Sequence, residues 1–162
     1  MPKGVFTKMK KIQTIILLLF VGITSIQIQS HARLADDSDI PPRGINMKDS
    51  PCGENQRGKS PKVLTAGTKV KIRWIETVDH TGRYWIEFSK ANDKDWIRIK
   101  TIVDDQNNPA TLPHSYEATI TVPNVNCDSC TIRLVQEMID SHADAPTYYY
   151  SCGDIKIING KC

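Results

Sequence analysis

The sequence predicts an all-β domain: an antiparallel β-sandwich of immunoglobulin or fibronectin III type, entered by a long irregular N-terminal arm. Two observations carry this. Short segments of alternating apolar and polar residues recur after about Pro61, separated by clusters of Asn, Asp, Pro and Gly, as in half-buried strands joined by turns. No stretch keeps a helical period long enough to form an amphipathic helix. With 40% hydrophobic and 24% charged residues among 162, the composition excludes a disordered or collagen-like chain.

Residues 1–30 carry Lys3, Lys8, Lys10 and Lys11, no acidic residue, and an apolar run from Ile15 to Ile23. That run is much shorter than the roughly 20 residues of a bilayer span and reads as a secretory signal peptide. Without it, 17 basic side chains face 18 acidic ones and the formal charge falls from +3 to −1. A chain so close to neutrality has no electrostatic footprint for nucleic acid or anionic lipid. The expected product is exported, extracellular or periplasmic, off the membrane and monomeric. Two cleavage points compete. Cutting after Ala32 follows the small-x-small signature of Ser30, His31 and Ala32, whereas cutting after Ser30 leaves His31 first.

Residues 31–162 then form a single domain, long enough for one sandwich core. From His31 to about Pro61 the chain is rich in Pro, Asp, Gly and Asn and is expected to run as an irregular arm. "TKVKIRWIE" follows, with Val70, Ile72 and Trp74 on one face and Lys69, Lys71 and Arg73 on the other. "GRYWIEFS" sets Tyr84, Ile86 and Phe88 against Arg83, Trp85 and Glu87. Further strands are read at "DWIRIK", "SYEATITV", "TIRLVQEM" and "DIKII".

All five cysteines lie beyond the signal, where oxidation is favoured. Cys127 and Cys130 sit in "NCDSC", a turn before an alternating strand rather than a helix, so a local structural disulfide is preferred to a redox pair. Cys52 and Cys152 can then tie the arm to the last strand. Cys162 is left free or in competition for one of these partners.

The chain has no HExxH, GxSxG or phosphate-loop motif, which removes the signatures of zinc proteases, serine hydrolases and nucleotide enzymes. Its four histidines are His31, His80, His114 and His142. His80 lies in a turn between two strands, where an isolated histidine is usually a surface residue. Read with His31 it gains weight. An N-terminal histidine offers its α-amine and imidazole, a second histidine adds a third nitrogen, and three nitrogens in a plane suit tetragonal Cu(II). His114 reads as a solvated turn residue and as the replacement ligand should His80 not serve. His142 lies in a loop leading to the tyrosine run, and Asp79 is either a turn aspartate or a carboxylate that orients or binds beside His80. Of Tyr84 and Trp85, one is expected to face outward, to stack on a sugar or to pack against a neighbour.

Taken in order, "HARL…PPRG", "DHTGRYWIEFS", "CDSCTIRLVQ" and "YYYSCGDIKI" resemble the lytic polysaccharide monooxygenases and their copper-binding relatives, most of all a small bacterial group of monooxygenase-like proteins. The resemblance implies cleavage after Ser30, one copper ion held by His31 and His80, and axial Tyr149, with Cys152 the disulfide cysteine. It also implies oxidative cleavage of chitin, cellulose or a related glycan using an external electron donor. The chain departs from the family pattern at Ala32, where Gly is common, at Arg83, where Pro is common, and at Thr147, where many fungal members carry Gln. Gln136, on the face of Ile132, Leu134 and Met138, is the substitute for that glutamine; the plainer reading is a strand-end amide satisfied by backbone. The competing expectations are a copper-delivery protein with the same ligands and no oxygenase activity, and a metal-free adhesion sandwich.

Overall fold

The computed structural model describes residues 31–106, 108–139 and 144–161. The expected signal peptide, His142 and Cys162 lie outside them. In order, the strands are β1 (Ala32–Leu34), β2 (Lys62–Thr65), β3 (Lys69–Glu76), β4 (Gly82–Ser89), β5 (Ile97–Val103), β6 (His114–Thr121), β7 (Cys127–Met138) and β8 (Thr147–Ile158). They form a three-stranded sheet in the order β1-β3-β6 and a five-stranded sheet in the order β2-β8-β7-β4-β5, the β-sandwich that the sequence predicts.

The period-two pattern places the core. Val70, Ile72 and Trp74 of β3 and Tyr116, Ala118 and Ile120 of β6 meet Tyr84, Ile86 and Phe88 of β4, Ile132 and Leu134 of β7, and Ile155 and Ile157 of β8. Burying each large apolar side chain contributes about 1.5–3 kcal/mol. Trp74, Tyr84 and Tyr116 pack as a trio with ring centroids 4.9–5.3 Å apart.

Three expectations are corrected. The arm is not irregular from its start, because Ala32–Leu34 pair antiparallel with β3. Three residues are too few to show periodicity, and the strand exists because Ala32 and Leu34 bury almost completely against the core. The sandwich is not wholly antiparallel: β2 runs parallel to β8, covering with one short strand an edge that would otherwise expose unpaired backbone. Nor is "NCDSC" a turn before the strand. β7 already begins at Cys127, and the CxxC segment is taken up as a register shift between Cys127 and Cys130.

The rest of the arm is irregular but fixed. The Arg43 amide donates to the Cys152 carbonyl at 2.6 Å and the Tyr150 amide to the Met47 carbonyl at 2.7 Å. Cys52 and Cys152 form a disulfide, and so do Cys127 and Cys130. Gly153 is required where the arm crosses β8, since a Cβ there would collide with Ile40 and the Pro41 carbonyl. Arg43 lies beneath the arm, its guanidinium pairing with Asp93 at 2.9 Å and Asp154 at 2.7 Å, while Arg57 pairs with the same carboxylates at 3.0 and 3.4 Å.

Candidate metal centre

Register brings three of the predicted residues to one end of the sandwich. Ala32 pairs with Glu76, so His31 lies beside the end of β3, where its carbonyl accepts a hydrogen bond from the Thr77 amide at 2.8 Å. The turn that follows β3 carries His80. Tyr149, near the start of β8, pairs with Gln136 of β7, which pairs on its other side with Tyr84. The His31 and His80 rings lie nearly parallel, with centroids 5.5 Å apart and planes 14° apart. His31 also stacks on Tyr149 at 3.9 Å, again at 14°. Lys48, from the arm, lies 4.7 Å over the Tyr149 ring.

The His31 imidazole is prepared to act as a donor. Its Nδ1 is enclosed and has no hydrogen-bond partner among the described residues. Burial first, then the charges of His80 and Lys48, lower its pKa from 6.5 to about 4, so the ring is neutral near pH 7 with a free electron pair. An orphaned buried nitrogen costs about 1–3 kcal/mol, a cost that a bound ion removes.

A layer of buried polar groups lies behind this end. Contrary to its expectation as a solvated turn residue, His114 is only 2% exposed. It opens β6 directly opposite Glu76, which is fully buried. The His114 Nδ1 faces Glu76 Oε2 at 3.1 Å, and its Nε2 lies 2.9 Å from the Asn108 carbonyl. The helix-like turn over Pro109–Thr111 closes over the ring and supplies that carbonyl. Burial, then the Asp104 charge, push the Glu76 carboxyl up to about 7 against its hydrogen bonds to His114 and Tyr84. Burial works against a charged His114, but its hydrogen bonds to Asn108 and Glu76 and the Glu76 charge outweigh it and raise that imidazole above its ordinary value. Deeper still, Tyr84 and Tyr116 both donate to Asp104, and burial raises both phenols above the usual range.

Gln136 belongs to this layer and does not reach the surface. It is 2% exposed, and its Nε2 donates to Glu76 Oε1 at 2.8 Å while its Oε1 has no partner. Its partner is thus a carboxylate and not the backbone. Asp79, next to His80, holds an enclosed Oδ1 without a partner. Tyr84 points into the core and Trp85 outward, where the Arg98 guanidinium covers its ring at 3.5 Å and Tyr148 lies 5.7 Å away. That is the packed alternative and not an open stacking platform.

Sequence reasoning missed Glu76 and the enclosure of His114. The signal was present in the alternation. Val70, Ile72 and Trp74 lead inward to Glu76, Ile120, Ala118 and Tyr116 lead to His114, and Ile132 and Leu134 lead to Gln136, three inward series that reach a polar residue toward the same end.

No protein-family model matches the sequence, and no curated protein matches it as a relative. The structure is similar to that of a cellulose-active polysaccharide monooxygenase from M. thermophila, with a TM-score of 0.53 and 16% identity, covering 69% of this chain and 60% of that one. It is also similar to a lytic polysaccharide monooxygenase from Thermobia domestica in the Cu(I) state, with a TM-score of 0.50 and 12% identity over 68% of this chain and 76% of that one. This chain therefore has a lytic polysaccharide monooxygenase-like fold. It spans about 60% of the length of the M. thermophila protein, and the likeness is one of fold.

Proposed function

We propose that this protein is an exported copper-dependent polysaccharide monooxygenase acting on chitin, cellulose or a related glycan, with His31, His80 and Tyr149 at its metal centre. The observation that carries this reading is the near-parallel pair of imidazoles, 5.5 Å apart, one of them with a buried nitrogen lacking any partner. Two imidazoles plus the α-amine that cleavage after Ser30 would free form a nitrogen donor set suited to Cu(II). The fold supports that cleavage point, because Ala32 is 1% exposed and paired within the sheet; a cut after Ala32 would remove a core residue.

When bound, copper supplies the redox chemistry that oxidises a carbon at the glycosidic bond, with electrons from an external donor. The chain supplies the positions. The Thr77 amide, just past β3, holds the His31 carbonyl, the β3–β4 turn presents His80, and Tyr149 fixes the plane of the His31 ring by stacking. Gln136 acts as a positioning residue by holding Glu76, the strand partner of Ala32. The centre lies at an end of a rigid sandwich, which suits a crystalline glycan surface that no cleft can enclose.

The test is made on secreted protein: the mass of its first residue, a copper titration, and incubation of the loaded protein and a reductant with several polysaccharides. A His31 start, tight copper binding and oxidised oligosaccharides are expected. A start at Arg33, or a His31 start without copper binding, would overturn the metal centre. One observation favours a second reading, copper carriage without oxygenase activity: the Gln136 amide is committed to a buried carboxylate, away from the exposed face. Tight copper binding with no oxidised product on any polysaccharide would decide for it.

A further inference from the structure

We infer that Glu76, Asp79 and His114 form a second metal site, one that takes a divalent cation of the zinc type and is separate from the two stacked imidazoles. The donor atoms of these three residues all lie within 4.8 Å of one another. Zinc bonds to nitrogen and oxygen are about 2.0–2.2 Å long and arranged tetrahedrally, so two ligands of one ion lie roughly 3.3–3.6 Å apart, and closure draws the most distant pair together by about an ångström.

The hydrogen-bond pattern of His114 points the same way. Its Nε2 lies 2.9 Å from the Asn108 carbonyl and 3.0 Å from the Thr111 hydroxyl, which itself donates to that carbonyl, an arrangement that fits a proton on Nε2. Its Nδ1 then faces a carboxylate oxygen at 3.1 Å, and two electron pairs at that distance need a positive charge between them. A proton can fill that gap, but it satisfies only this pair. It leaves Asp79 Oδ1 enclosed and without a partner. A divalent ion satisfies all three donors at once, and with two carboxylates and a neutral imidazole the assembly carries no net charge, which lowers the cost of burial. The bond from a ligating histidine's other nitrogen to a backbone carbonyl is the support that metal sites commonly use.

A further, independent observation comes from Gln136. Its side chain is more than nine-tenths buried, its Nε2 donates to Glu76 Oε1, and its own Oε1 has no partner among the described residues. A half-turn of the amide would put that hard oxygen donor where Nε2 now meets Glu76, to complete four-coordination. Two carboxylates, an imidazole and an amide oxygen, with no thiolate, suit zinc or manganese over a soft ion. Asp79 immediately precedes His80, so a bound ion ties the β3–β4 turn to β6.

This inference does not rest on the copper reading, and its test keeps the two apart. The whole 162-residue chain, in which His31 has no free α-amine, is titrated with Zn(II) by calorimetry. One equivalent is expected to bind. Asp79→Asn, at a half-buried turn position, and Glu76→Gln should each weaken binding by at least about tenfold, the scale on which even supporting residues act, while His80→Ala leaves it unchanged. Absence of zinc binding, equal binding in Asp79→Asn with circular dichroism unchanged, or loss of zinc in His80→Ala would each overturn the site. Loss of copper from the processed protein with zinc binding intact would sink the stacked-imidazole centre alone.

Discussion

Two of the buried polar clusters among the described residues are built differently. Under the arm, Arg43 and Arg57 face Asp93 and Asp154, with Thr131 donating to Asp93 and receiving from both guanidinium groups. Almost every polar atom there is paired, Arg43 Nε being the exception. At the end that carries His31 and His80 more atoms are left open: His31 Nδ1, Thr77 Oγ1, Asp79 Oδ1 and Gln136 Oε1 have no partner among the described residues. Buried polar groups are nearly always satisfied, and exceptions call for an explanation. A network that closes on itself serves the fold, whereas His31 Nδ1, Asp79 Oδ1 and Gln136 Oε1 at the other end are the open atoms that the proposed metal ions would engage.

The comparison can be broken most forcefully at the arm. Replacing Cys52 and Cys152 with Ala opens a closure of 100 residues and should cost about 4–5 kcal/mol by the loop-entropy relation. Urea unfolding measures this, and the strand content of the folded state should stay the same. Arg43→Ala should cost about 3 kcal/mol, the low end for breaking a buried pair, because Arg57 still reaches both carboxylates; copper affinity should not change, and a loss of copper would mean the two clusters are one unit.

At the other end the effects should fall on binding. In protein processed to His31, His80→Ala should weaken copper by at least about a hundredfold, or about 2.8 kcal/mol, with little change in the unfolding midpoint, since a half-buried turn residue adds little core. Calorimetry beside urea unfolding checks both halves of that statement. The smallest effect is in acid. Burial opposes the ionisation of Asp93, but hydrogen bonds from Arg43 and Thr131 and the charges of Arg43 and Arg57 outweigh it and hold its pKa at about 2, below the ordinary 3.8. Its contribution to stability is therefore complete above pH 3.8 and is lost as the pH falls through about 2. Asp93→Asn should remove that part of the acid slope.

The sequence made the paired strands plain where alternation runs for several residues, as in Lys69–Glu76 and Gly82–Ser89. It did not reveal β1 or β2, whose three and four residues give no period and whose existence depends on partners far along the chain. The same division holds at the candidate site. His31 and His80 were legible as a pair of histidines only if the chain starts at His31, and Tyr149 only through the family resemblance. Glu76, His114 and Gln136 lie on three different strands and come together only through register, which no single segment contains. His114 was misplaced for that reason: its own neighbours, Pro113 and Ser115, look like a turn, and the carboxylate that draws it inward is 38 residues away.

His31 is anchored on the three-stranded sheet, whereas Tyr149 belongs to the five-stranded one. Their 3.9 Å stacking consequently acts as a gauge of how the two layers sit on one another. A substitution that slides one layer along the other, even deep among the aliphatic side chains, should therefore change the overlap of these two rings.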